Sequence, residues 1–542
     1  MNRRVSVAIM AIAMMLMGTG SAVADSTSTS TSTSVTSTSQ LTPIPTLGAS
    51  SWGVTNSSII AENDKAGTAA WRIGHLPPRS GVIDGFADTT QAIAGQAVSL
   101  YVQSSAPSFT ATFFRMGYYH GLGARQVFES PSTPVTAQPQ CHVTTGINLV
   151  DCANWHRSLT VTIGADFTPG DYLILLTSST GAKGYVLLTV ADPTSTATYE
   201  IIARSLTEEG WNLFGGYDYY RGVGPCTLGA GSYPPCNRAR VVSFTRPQLL
   251  GNGASDFFGN EFPLVFEMEK YGLDVTYVTD VGLDQNPTLA RGHKVIISLG
   301  HDETWTYRER QAVWRAFQAG TNVIFFGAAA VLRHARLAPN VLSRTGLEVN
   351  YRDASEDPLS WTADPMDVTG NTFSAPPTLL APITFTGETY AGYDPIGVFH
   401  NFVVYDPSSF LFANTGWHVG SVIPGVLQSD FDHAVLGRSP ANFHVVGHSP
   451  LPLATTTTGQ GRWGNFTYSD AGYWTNRAGG GVFDSGTVNW ISTLTCQNSA
   501  NVCQSAVMDI ITGNLLRVFG EGPLGRHVAV TGNLSQLRPL GS

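Results

Sequence analysis

The chain has 542 residues, a formal net charge of −9 and only 13% charged residues. No basic cluster is present to neutralise phosphates, which excludes nucleic acid and an anionic membrane surface as partners. The length exceeds what one hydrophobic core fills, so two or three domains are expected.

In residues 1–24, Arg3 and Arg4 precede an apolar run from Val5 to Met17, and Ala22-Val23-Ala24 forms a small-x-small cleavage pattern. This reads as a secretory signal peptide, too short and wrongly flanked for a membrane span. The mature protein is therefore expected to be secreted or associated with the cell surface, with no membrane span. Residues 25–45 read as a Ser/Thr-rich linker. Such a tract buries no apolar surface and cannot offset its chain entropy.

Residues 46–195 read as short strands. "AVSLYVQS", "FTATFFRMG", "SLTVTIG", "DYLILLTS" and "YVLLTVA" alternate or run apolar between Gly, Pro and Ser clusters. That pattern predicts an antiparallel β-sandwich of immunoglobulin-like size. Across 196–500 the pattern changes to an α/β alternation. "PLVFEMEKYG" has helical spacing and stops on Gly272, and "DVTYVTD", "HKVIISLG" and "NVIFFGA" read as strands. "RERQAVWRAFQAG" places Ala312, Val313, Ala316 and Phe317 on one helical face before Gly320. Strands alternating with helices predict a parallel sheet with "VIISL" central and "VTYVT" and "VIFF" beside it. The topology of 383–494 is not readable, and 501–542 reads as a C-terminal tail.

The six cysteines form close pairs: Cys141 with Cys152, Cys226 with Cys236, and Cys496 with Cys503. Six cysteines allow 15 connectivities, and near neighbours close the smallest loops, so these three local bridges are expected. None has the C-x₂-C spacing of a zinc site. With all six bridged, no thiol nucleophile remains. There is also no G-x-S-x-G elbow, no Walker A loop and no dinucleotide fingerprint.

Ligands gather outside the carboxyl ends of parallel strands. Three loops leave such ends: at Asp280, at His301 to Glu303 and at Gly327 to Ala330. In an extended segment His301 and Glu303 point to one side and Asp302 to the other. Thr306 and Glu309 have capping-box spacing, which starts a helix just beyond. Two chemistries suit this pair. A carboxylate can ligate a hard metal while the imidazole moves protons, or Glu303 can act as a general base with no metal. The plain alternative is a polar loop that only caps strand and helix.

"FFRMGYYHGLGAR", "WNLFGGYDYY", "SFTRP", "VTYVTDVGLD", "GHDETW", "FFGAAA" and "GGGVFDSGTVNW" fall in order from roughly Ile93 to Leu494. Together they resemble the large (β) subunit of N,N-dimethylformamidase. The resemblance implies an immunoglobulin-like domain joined to an α/β domain similar to class I glutamine amidotransferases. It also implies hydrolysis of a small amide at an iron held by two tyrosines and one glutamate; the family enzyme has in addition a small second subunit, which this chain does not contain. The ligand glutamate carries over to Glu303 and the catalytic histidine to His301. One tyrosine maps best to Tyr172 in "PGDYLIL". The other falls in an "AYN-x-x-GG" motif that here reads "GWNLFGG", placing Trp211 at the tyrosine, with Asn212, Gly215 and Gly216 kept. An indole offers only an N–H donor and cannot replace a phenolate. Tyr217, Tyr219 and Tyr220 lie just downstream as substitutes, and the family's Asn after "FFGA" is Ala329.

Three functions follow. The first is an exported hydrolase of C–N bonds centred on Glu303 and His301, with Trp211, Asn212, Tyr220, Asp280 and Trp305 toward substrate. The second is a catalytically silent relative binding a sugar or polymer on its aromatic residues, Phe214 among them. The third is an exported surface protein whose sandwich mediates adhesion. An oligomer is left open.

Overall fold

The computed structural model describes residues 52–73, 83–223, 237–361, 364–451, 468–495 and 505–538. Two units are distinguished, residues 1–43 and 44–542. The first, with the expected signal peptide and most of the linker, lies outside the described residues, so the second is the subject below.

The strands read from 83–191 form two facing sheets. Ala97–Ser104 pairs antiparallel with Ile83–Ala87 and with Leu159–Thr162. Gly170–Ser178 lies between Ser108–Met116 and Lys183–Ala191 in a six-stranded sheet. Alternate residues close a shared core: Val98, Leu100 and Val102 from one sheet meet Phe113, Ile174 and Leu188 from the other. The opposite face of the larger sheet is covered too, where Phe114, Leu173 and Leu175 pack on Phe257 and Phe262. Burial on both faces is why "DYLILLTS" runs apolar instead of alternating.

From Tyr199 onward the chain builds a seven-stranded mixed sheet. Its order is Val275–Thr279, Tyr199–Ala203, Val295–Ser298, Asn322–Phe325, Gly481–Asp484, Tyr468–Thr475, His444–Pro450. The first five strands are mutually parallel, and the last two add antiparallel. Val295–Ser298 sits inside the parallel part, with Asn322–Phe325 beside it and Val275–Thr279 at the edge. Helix Tyr307–Gln318 covers one face through Ala312, Val313, Ala316 and Phe317. Thr306 and Glu309 cap it reciprocally, as their spacing predicts. Helix Phe262–Lys270 covers the other face and ends on Gly272 at φ +64°. That left-handed turn favours glycine, as its sequence position implied.

The stretch read as a tail contains a long helix, Ser505–Gly520, whose Ile511, Leu515 and Phe519 enter the same core. Its Leu516 carbonyl accepts the Tyr199 hydroxyl at 2.9 Å. The unreadable 383–494 region supplies three strands to the large sheet and two separate pairs, Thr389–Tyr393 with Asp430–His433 and Phe399–Val403 with Val422–Gln428. A mostly β, mixed-sheet architecture is the result. Among the described residues, no helix is long and apolar enough to cross a membrane. Cys141 and Cys152 form the expected disulfide. The other four cysteines lie outside the described residues.

One ion pair ties the sandwich to the mixed sheet. Arg115, on a sandwich strand, donates Nη1 and Nη2 to the Glu269 carboxylate at 2.8 and 2.7 Å. Both side chains are fully buried. Tyr277, on the edge strand of the large sheet, donates its hydroxyl to Glu269 at 2.7 Å. Breaking a buried pair leaves one charge uncompensated. Arg115→Met is therefore expected to lower stability by about 3–5 kcal/mol, measured by urea unfolding.

Candidate functional site

The strand Val295–Ser298 ends in the loop that carries the ionisable residues. His301 takes a left-handed backbone, φ +55°, a conformation that costs a non-glycine residue about 1–2 kcal/mol. Gly327, in the loop after the neighbouring strand, permits this. A Cβ there would lie 2.9 Å from the His301 nitrogen. His301 and Glu303 do face each other, through this turn and not through the extended backbone first assumed. His301 Nε2 stands 3.8 Å from Glu303 Oε2, and about a fifth of the histidine side chain is exposed (21%). Asp302 points away, accepting the Ser298 hydroxyl at 2.8 Å.

A second register fixes the cation. Thr304–Thr306 pairs in parallel with Arg333–Ala338, Thr304 opposite Arg333. The Arg333 amide donates to the Glu303 carbonyl at 2.7 Å, and its Nε donates to Glu303 Oε1 at 2.8 Å. Glu303 Oε2 accepts from the Tyr220 hydroxyl and from Trp211 Nε1, the latter at 3.3 Å. The Tyr220 ring stacks on Trp211, centroids 3.8 Å apart, and carries Arg352 4.6 Å from its centroid. Asn371 receives both arginines, Arg333 Nη1 at 2.7 Å and Arg352 Nη2 at 3.3 Å. Nearby, Tyr390 donates its hydroxyl to Asp430 at 2.8 Å.

Burial would raise the Glu303 pKa. Arg333, His301, the Tyr220 hydrogen bond and Arg352 together outweigh it, so the carboxyl is held below its ordinary value. Burial, then the Glu303 charge, pushes the Tyr220 phenol well up. Burial raises Asp302 to about 6 and lifts Asp280 well above the usual range. Asp430 is raised by burial, partly offset by His301. Glu303 is thus made a stronger acid while the carboxyl and phenol groups around it are made weaker ones.

Of the residues expected at the site, the fold brings together Glu303, His301, Trp211 and Tyr220. It does not bring the others. Tyr172 is buried in the sandwich core and donates to the Thr168 carbonyl at 2.8 Å, the tyrosine-corner geometry. Asn212 spends its amide on Glu209 and Pro247 and its oxygen on the Phe214 and Leu249 amides. It ties the Trp211 loop to the Pro247–Leu249 segment. Trp305 is wholly buried, its indole donating to the Asp302 carbonyl at 3.2 Å. Asp280 is also buried, accepting the Leu206 amide at 2.6 Å. In each case the side chain is engaged by packing or by hydrogen bonds within the fold. Ala329 is left-handed, φ +59°, with its amide on Asp432.

Sequence reasoning missed Arg333, Arg352, Asn371, Tyr390 and Asp430. A buried carboxylate implies a nearby cation, but nothing in a linear reading says which arginine meets it.

These residues do not fit the iron set that the resemblance implies. Both Glu303 oxygens face hydrogen-bond donors, Tyr172 lies in the sandwich, and Trp211 presents an N–H.

The fold and site define a β-rich protein with a buried, ion-paired glutamate at the carboxyl ends of parallel strands. A family model described as N,N-dimethylformamidase beta subunit-like, C-terminal, matches residues 110–504. The chain belongs to that family. No curated protein matches it. Among solved structures, a chain from one described as the structural basis of T cell specificity and activation by the bacterial superantigen toxic shock syndrome toxin-1 gives 11% identity and a TM-score of 0.13, over 20% of this chain and 96% of that one. A Paenibacillus sp. cycloisomaltooligosaccharide glucanotransferase complexed with cycloisomaltoheptaose gives 7% and 0.16, over 59% of this chain and 61% of that one.

A depressed glutamate contributes stability above its unfolded pKa, and loses it as pH falls through the folded value. Arg333→Met is therefore expected to cost about 3–5 kcal/mol at neutral pH. The difference from wild type should shrink at a pH below the ordinary glutamate range, low enough to protonate the lowered Glu303 carboxyl. Denaturant unfolding at both pH values measures this.

Proposed function

We propose that the chain is a hydrolase of C–N bonds in small amides, with His301 as the proton-transferring group and Glu303 as the charge that supports it. One observation carries this reading: a partly exposed imidazole 3.8 Å from a buried carboxylate held ionised by Arg333. With Nε2 turned to Glu303, Nδ1 is the nitrogen we assign to act on water. It takes a proton as the water oxygen adds to the amide carbon. Glu303 stabilises the imidazolium so formed. The same proton then passes to the departing nitrogen as the C–N bond breaks, leaving carboxylic acid and amine. Distances at such sites tighten when substrate binds. We further propose that the protein is exported, that its sandwich is immunoglobulin-like and that its mixed sheet is amidotransferase-like, in keeping with the family.

A second reading, a silent relative that binds a ligand, draws support from Glu303 having both oxygens already occupied and from the half-buried Trp211 beside His301.

Amine release from a panel of small amides separates the two. Under the first reading, His301→Gln lowers kcat by about 10²–10⁴-fold. Absence of turnover across the panel, with ligand-induced Trp fluorescence changes abolished by Trp211→Phe, supports the second.

A further inference from the structure

We propose that Arg333 is the resident cation of this site: its guanidinium compensates Glu303 where the family resemblance implies iron, and the site operates with no metal there. This rests on reading Glu303 and His301 as the reaction centre, but its test does not depend on turnover.

The backbone argument comes first. The parallel pairing of Thr304 with Arg333, and the 2.7 Å bond from the Arg333 amide to the Glu303 carbonyl, fix the arginine beside the glutamate. Arg333 is therefore not a mobile surface side chain folded in to fill a gap. Its guanidinium is tied on both sides, to Glu303 Oε1 at 2.8 Å and to the Asn371 side-chain oxygen and carbonyl at 2.7 and 3.1 Å. Swinging it away would break the ion pair and both contacts to Asn371.

The other carboxylate oxygen is closed by different chemistry. Tyr220 and Trp211 both point donors at Oε2. A metal needs lone pairs, and an indole N–H has none to offer however it turns. Tyr220 is a phenol placed to become a ligand, its hydroxyl already on Glu303, yet its ring carries Arg352 on one face. An entering dication or trication would meet two guanidinium groups at close range, and like charges there repel strongly in a low-dielectric setting. Charge, donor direction and backbone register exclude the metal together, and the Tyr-to-Trp change at Trp211 is one part of that set.

This separates two expectations. If the loss of one tyrosine alone removed iron, Trp211→Tyr would restore it. If Arg333 holds the position, Trp211→Tyr gains nothing until Arg333 is also changed.

The full-length protein is challenged with ferrous and then ferric iron, desalted, and assayed for bound iron and for a phenolate-to-iron absorption band. Wild type, Trp211→Tyr and Arg333→Lys are expected to retain no stoichiometric iron and to show no band. Arg333→Met in the Trp211→Tyr background frees Glu303 beside two phenols, and should raise iron retention roughly tenfold or more. The accompanying band should disappear on Tyr220→Phe. Stoichiometric iron in wild type that Glu303→Gln removes overturns the proposal, as does a folded Arg333→Met/Trp211→Tyr protein that gains none. Should that double variant fail to fold, the first three proteins decide: Glu303-dependent iron in any of them overturns it, and absence in all supports it. Amide hydrolysis assayed in the same samples reports on the functional reading separately. Iron-free protein without turnover leaves Arg333 in place and removes the hydrolase.

Discussion

Keeping the Glu303 carboxylate ionised inside the protein is the constraint around which the site is built. An isolated carboxylate in an apolar interior is far too costly, so every lone-pair direction must find a donor. Three separate segments answer that demand. The loop after the strand Tyr199–Ala203 supplies Trp211 and Tyr220, the short parallel pair supplies Arg333, and the region after Leu347–Val349 supplies Arg352 and Asn371. These contacts are among those that join the small sheet containing Arg333 to the end of the large one. Site and architecture are thus one network.

The same logic recurs at the seam between the sandwich and the large sheet. There Arg115 and Glu269 form a fully buried pair completed by Tyr277. A phenol, a carboxylate and a guanidinium occur together in both places, but their surroundings differ. The seam pair is sealed and structural. The Glu303 group has a partly exposed histidine 3.8 Å away, in a strained backbone turn. Strain of this kind persists only where surrounding contacts over-determine it, and Gly327 and the Glu303 network do so here.

Family membership and site chemistry carry different information in this protein. The order of motifs along the chain places it in the N,N-dimethylformamidase beta subunit-like family. Which donors surround Glu303 is a separate matter. Trp211 and Arg333 both present hydrogen donors to the carboxylate at the strand-end loop. A fold can keep its loop geometry while its electrostatics are rewritten by a few side chains.

Local order was legible wherever a short-range rule decided the outcome. The alternating strands of the sandwich, the helix capped by Thr306 and Glu309, the glycine stop at Gly272, the local Cys141–Cys152 bridge and the strand-end position of His301 and Glu303 all follow from neighbours a few residues apart. The apolar periodicity alone set which helical face of Tyr307–Gln318 is buried. What the linear chain could not specify were the meetings of distant segments. Tyr172 resembled a ligand until the sandwich core claimed it, and Trp305 resembled a rim residue until packing enclosed it. Arg333 became the partner of Glu303 only because a three-residue parallel pairing set Thr304 opposite it. Periodicity and capping are written in local spacing, whereas the identity of a buried charge's partner depends on strand register across the fold, which no local spacing encodes.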